Sequence, residues 1–136
     1  MDLYSLSVIG YSYGVSMNAD LVVQAIKKAR KKGDFRKNAI FHSDLGSQYT
    51  SNKVEEYLKE LGLRHSYSKK GYPYDNASME SFNAILKKEE VNLHEYETFE
   101  EARLAIFEFI EGWYNRKRIH SSIDYKIPNE LENEVA

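Results

Sequence analysis

Asn38-Ala39-Ile40-Phe41-His42-Ser43-Asp44-Leu45-Gly46 is the stretch that decides the fold. A short apolar run ends abruptly in Ser43-Asp44-Leu45-Gly46, the pattern of a buried strand that delivers a polar residue at its carboxyl tip. Upstream, from Asn18, Val22, Val23, Ile26 and Ala29 recur at helical spacing. Lys27, Lys28, Arg30, Lys31 and Lys32 load the far end of that helix before Gly33, where cations complement the helix dipole. Downstream, a second helix is expected from Ser51 or Asn52, with Glu55 as a capping-box candidate. Its apolar face is Val54, Tyr57, Leu58 and Leu61, and Gly62 stops it.

Farther out the same alternation continues. Ser7 to Tyr13 mixes β-branched and aromatic residues and reads as a strand closed by Gly14, and Arg64 to Ser66 reads as a short one. Tyr67 to Asp75 carries Gly, Pro and paired lysines, the composition of a surface loop. A helix is expected over Ala77 to Glu89, with Met79, Phe82, Ile85 and Leu86 apolar. A long one follows from the Thr98/Glu101 capping box through Trp113. The segment from Asn115 to His120 is basic, and the glutamate-rich residues from Tyr125 read as a solvent-facing tail. Strands alternating with helices make an α/β protein.

Composition narrows the chemistry. At 136 residues and 42% hydrophobic content the chain is one domain or less, with enough apolar material for a core. A formal charge of −2 offers no global attraction for nucleic acid, so any such contact depends on local clusters. The chain has no cysteine, which excludes disulfides, thiolate metal sites and a cysteine nucleophile. No leader pattern and no apolar stretch of membrane-spanning length is present, so a cytoplasmic protein is expected.

Two carboxylates stand in a suggestive setting. Asp44 ends a strand, and after the Gly/Pro/Lys loop Glu80 falls in the first turns of a helix. Hard divalent cations take oxygen ligands, and metal-assisted phosphodiester chemistry needs carboxylates held at a common point. His42 and His120 are expected to be packed or hydrogen-bonded rather than catalytic. Core packing is expected for Tyr49, whereas Tyr72 and Tyr74 are candidates for stacking on unpaired bases.

His42-Ser43-Asp44-Leu45-Gly46-Ser47-Gln48-Tyr49, Lys69-Lys70-Gly71, Asp75-Asn76-Ala77 and Glu80-Ser81-Phe82 together resemble the OrfB-type transposases of bacterial insertion sequences, within the retroviral integrase superfamily. Thirty-five residues separate Asp44 from Glu80, and Lys87 stands seven after Glu80, which is similar to that family's DDE spacing and its trailing basic residue. Trp113-Tyr114-Asn115-Arg116-Lys117-Arg118, His120 and Pro128-Asn129-Glu130 resemble its closing segment. The resemblance implies a ribonuclease H-like α/β integrase core. Asp44 and Glu80 would then be metal-binding and catalytic, with Mg2+ or Mn2+ as cofactor. It also implies DNA contacts from Lys87, Lys69, Lys70, Arg116, Lys117 and Arg118, and DNA, a second copy or a longer transposase subunit as partners.

The family's first catalytic Asp lies farther upstream of the second than the 43 residues that precede Asp44 here. Asp2, Asp20 and Asp34 do not fall in its place. The resemblance therefore implies a partial core over residues 1–125, lacking its first strand and most of its second, followed by a short tail over 126–136. It implies a role in DNA integration and transposition, by metal-dependent phosphodiester hydrolysis and strand transfer, with little activity of the chain alone. The alternative is a non-catalytic DNA-binding or oligomerisation module acting on a full-length transposase.

Overall fold

The computed structural model describes residues 1–135, apart from the side chain of Pro73. They form two compact units, one of residues Ile9–Ala77 and one of Met1–Val8 with residues 78–135. No helix among the described residues is long and apolar enough to cross a membrane.

The first unit is built around a strand–helix–strand crossover. Helix α1, Ala19–Lys32, starts where the Asn18 side chain accepts the Leu21 N–H at 3.1 Å. Strand β1, Ile40–Ser43, pairs in parallel with β2, Arg64–Tyr67, in the register Phe41 to His65 and Ser43 to Tyr67. Between them runs α2, Asn52–Glu60, because parallel strands cannot be joined by a tight hairpin. Its cap is Ser51, whose hydroxyl accepts the Val54 N–H. Gly62 closes it with φ of 69°, a left-handed geometry that favours glycine. Val22, Val23 and Ile26 of α1 pack on Val54 and Leu58 of α2, with Phe41, Tyr49, Tyr57 and Leu61 around them.

One expectation fails in this unit. Residues 7–13 form no strand: the described residues contain a single two-stranded sheet, β1 with β2. β-branched and aromatic composition favours extended backbone, but a strand exists only where a neighbouring backbone completes the ladder. Gly10 instead lies against α1, so close that a Cβ would sit 2.4 Å from the Ala25 carbonyl oxygen, and the Ser12 hydroxyl donates to the Leu21 carbonyl.

The second unit is helical. Helix α3 is Ala77–Glu89, and α4 is Phe99–Glu108, started by Thr98 accepting the Glu101 N–H. The expected single helix through Trp113 changes winding: Phe109–Tyr114 is π-helical, with the Asn115 N–H bonding to the Ile110 carbonyl. The wider turn lets Phe109, Ile110, Tyr114 and Asn115 all be buried, whereas α4 itself buries no residue. The expected solvent-facing tail is also corrected. Residues Pro128–Val135 form helix α5, started by Pro128 and tethered by buried Leu131 and by the Asn129 N–H on the Asn115 carbonyl.

Candidate metal and nucleic-acid site

Asp44 directly follows β1 and is exposed. One of its carboxylate oxygens accepts the Gly46 N–H at 2.8 Å, a turn in which the side chain substitutes for a backbone acceptor. A side chain at Gly46 would meet that same oxygen at 2.9 Å, so glycine there keeps the carboxylate in place. Tyr49, packed on the core as expected, has its phenol pKa raised by burial and secondarily by the Asp44 charge.

The residue before it is fixed by a network that the sequence did not reveal. Ser43 is buried, its hydroxyl donates to the Asp44 carbonyl at 2.9 Å, and it lies 2.8 Å from His65 Nε2. His65 Nδ1 is 2.6 Å from Glu55, which also accepts the Tyr67 hydroxyl. The Tyr67 bond, followed by His65, holds the Glu55 carboxyl below its usual range, while burial and Glu55 push the Tyr67 phenol up to about 12. Glu55, read from sequence as a capping residue, thus ties α2 to β2. One strand over, His42 lies 2.9 Å from the hydroxyls of both Ser66 and Ser68, a hydrogen-bonded histidine as expected. The repeated His-Ser dipeptide, His42-Ser43 and His65-Ser66, was the one available signal, and it gains meaning only from the register, which sets His42 opposite Ser66 and Ser43 opposite Tyr67.

The loop after β2 is folded on itself. Its Lys69 N–H donates to Asp75 at 3.0 Å, and Gly71 adopts φ of 80°. Lys69 and Lys70 are exposed, with the Lys69 ammonium 5.9 Å from the Tyr72 ring centroid. Tyr74 is 87% exposed, available to a stacking partner.

Glu80 lies in the first turn of α3 and Lys87 in its last, both exposed. Seven residues make two turns, so they share a face. The opposite face holds Phe82, which packs edge-on against Tyr114 at 5.0 Å between centroids. Among the described residues the Glu80 carboxylate has no hydrogen-bond or ion-pair partner. Arg116 and Lys117 are exposed after the π-helical turn. Arg118 is partly buried: its guanidinium donates to Glu89 at 2.9 to 3.1 Å, and the Trp113 indole donates to the same carboxylate at 3.2 Å. His120 is buried against Tyr114, with ring centroids 4.9 Å apart, and burial followed by Arg118 lowers its pKa.

Asp44 belongs to the first unit and Glu80 to the second. Among the described residues no group of three or more His, Asp or Glu side chains is gathered to hold a metal. The donor chemistry nonetheless suits a hard divalent cation: both are exposed carboxylates with no cationic partner, and Asp44 keeps one oxygen outside its turn.

Models of the integrase core domain match the chain over residues 1–73 and over residues 61–128. The chain belongs to the integrase core family. It is 42% identical over 132 residues to the transposase for insertion sequence element IS904 of Lactococcus lactis, covering 97% of this chain and 52% of that protein. It is 39% identical over 133 residues to transposase InsF for insertion sequence IS3A of Escherichia coli K12, covering 98% and 46%. The chain thus spans about half the length of the curated relatives it matches. The catalytic core domain of BIV integrase superposes with a TM-score of 0.60 at 24% identity, over 88% of this chain and 74% of that one. The simian T-cell lymphotropic virus intasome in complex with PP2A regulatory subunit B56 gamma gives 0.62 at 17% identity, over 84% and 40%. These neighbours establish the ribonuclease H-like α/β fold for this integrase core, and divalent metal use is general to its family.

Proposed function

We propose that the chain supplies metal-binding and DNA-contacting residues of an insertion-sequence transposase, serving DNA integration by phosphodiester hydrolysis and strand transfer in the cytoplasm. The observation that carries this reading is the pair Asp44 and Glu80. With thirty-five residues between them in an integrase core chain, both are exposed carboxylates with no cation beside them among the described residues. They would be ligands of Mg2+ or Mn2+, which when bound supplies Lewis-acid activation of the attacking oxygen and charge stabilisation of the leaving one.

The chain's own residues do the rest. The Gly46 N–H and the Ser43–His65–Glu55 network orient the segment that carries Asp44. Lys87, on the Glu80 face of α3, and Lys69 and Lys70 in the loop contact phosphates, as do Arg116 and Lys117. Arg118 positions that last segment through Glu89. A second copy or a longer transposase subunit is the partner.

Manganese titration followed by the loss of its free-ion spin-resonance signal tests the assignment. Asp44→Asn and Glu80→Gln are each expected to weaken binding by about tenfold or more, with the melting profile unchanged. Equal manganese affinity in wild type and both variants overturns it.

A further inference from the structure

We propose that the solvent-facing ridge of α1, with the turn after it, docks the phosphate backbone of duplex DNA at a surface separate from Asp44. Between Lys27 and Lys37 the chain carries seven cations and one carboxylate, Asp34, in a protein whose overall charge is −2. All seven cations are exposed. Val22, Val23 and Ile26 bury the inner face of α1, and at 100° per residue Lys28, Lys31 and Lys32 fall on the outer one, with Lys27 on its flank.

Among the described residues the neighbouring carboxylates do little to neutralise Lys28, Lys31 and Lys37. Asp34 reaches Arg30 only at 3.9 Å and is 92% exposed, and Asp20, about two turns upstream of Lys27, is taken by Lys53. Lys27 rests 5.7 Å from the Tyr57 ring centroid. Among the described residues Lys28, Lys31 and Lys37 make no ion pair. Lys28 and Lys31 are about 4.5 Å apart along the helix axis. A duplex presents a negative charge about every 1.7 Å, so both find phosphates without reorganising the helix.

The chemistry favours DNA over a membrane surface. An amphipathic helix binds lipid by inserting its apolar face, and here that face is spent on α2. Topology separates the ridge from Asp44: α1 leads through residues 33–39 to the amino end of β1, whereas Asp44 follows its carboxyl end. The surface therefore grips DNA away from the phosphate presented to Asp44. Only the choice of duplex DNA rests on the proposed transposase role.

The test is the salt dependence of binding to a short random-sequence duplex, measured by fluorescence anisotropy on the full chain. Lys28→Glu/Lys31→Glu/Lys37→Glu is expected to weaken low-salt binding by about tenfold or more and to reduce the slope of log affinity against log salt by about 2 to 3. The corresponding Gln triple is expected to lose the same slope without the added repulsion, and it decides the matter if the Glu triple fails to fold. An unaltered slope in the Gln triple overturns the surface. So does lysine-dependent binding to phosphatidylserine vesicles with no lysine dependence on DNA. Manganese affinity insensitive to Asp44 and Glu80, beside lysine-dependent DNA binding, would overturn the metal assignment and leave this surface standing.

Discussion

The side-chain amide of Asn115 pairs with both backbone groups of Val8, accepting its N–H at 2.9 Å and donating to its carbonyl at 3.0 Å. Asn115 is 1% exposed and Val8 4%, so a side chain does here what a neighbouring strand does in a ladder. The Asn115 carbonyl in turn accepts the Asn129 N–H, so one residue fastens both the amino-terminal segment and α5.

Removing that amide strands buried backbone groups. Asn115→Ala is expected to lower unfolding free energy by about 2 to 4 kcal/mol, since each unsatisfied buried group costs about 1 to 3 kcal/mol. Asn115→Asp, which keeps the acceptor and loses the donor, should be destabilising as well. Urea unfolding of the three proteins measures it, and a loss under about 0.5 kcal/mol for Asn115→Ala would show the pairing to be incidental.

Two glycines should respond in opposite directions. Gly10→Ala forces a methyl to within 2.6 Å of the Ala29 nitrogen as well as 2.4 Å of the Ala25 oxygen, both in the backbone of α1. A rigid helix cannot yield, so a loss of about 2 to 3 kcal/mol or more is expected. A Cβ at Gly112 meets nothing within 4 Å, and Gly112→Ala should stabilise by about 0.5 to 1 kcal/mol. Thermal melts separate the two, and equal melting temperatures would contradict the packing of Gly10 on α1.

Acid should weaken the helical unit in two stages. Arg118, then the Trp113 indole, hold the Glu89 carboxyl below its usual range, and burial then Arg118 lower the His120 pKa. In both cases folding disfavours the protonated form. Stability is therefore full above the unfolded values and declines as pH falls, first below about 6.5 for the imidazole and then below about 4.3 for the carboxyl. Arg118→Met should cost about 1 kcal/mol at neutral pH, discounted because the pair is partly exposed, and should flatten the lower stage. Stability measured across this range in both proteins checks the sign.

Alkali gives a separate reading. Tyr67, Tyr96 and Tyr114 are pushed up to about 12, by burial in each case. Phenolate absorbance should therefore show a late-titrating class among the 11 tyrosines, and Tyr67→Phe should shrink it by one. The same substitution removes the hydrogen bond that chiefly depresses Glu55, so the Glu55 carboxyl should titrate at higher pH by NMR. An unmoved Glu55 would show that Tyr67 does not donate to it.

Periodicity and punctuation in the sequence determined the local elements. The apolar spacing of Val22, Val23 and Ile26, the stop at Gly62, the strand-ending Asp44 and the Thr98 cap all stand where the residues place them. These follow from forces within a few residues of the chain. The motif residues also carried the family resemblance, because side-chain identity and spacing are sequence properties. Tertiary structure alone decided what the chain ends and polar side chains do. Val8 takes a side-chain amide from residue 115 and not a strand, and Gly10 packs closely on a helix. The segment from Pro128 folds because Leu131 finds a core, Arg118 turns to Glu89, and His65 reaches Ser43. Each of these depends on a partner far away in sequence, and a buried polar group takes whichever partner the packing brings within reach.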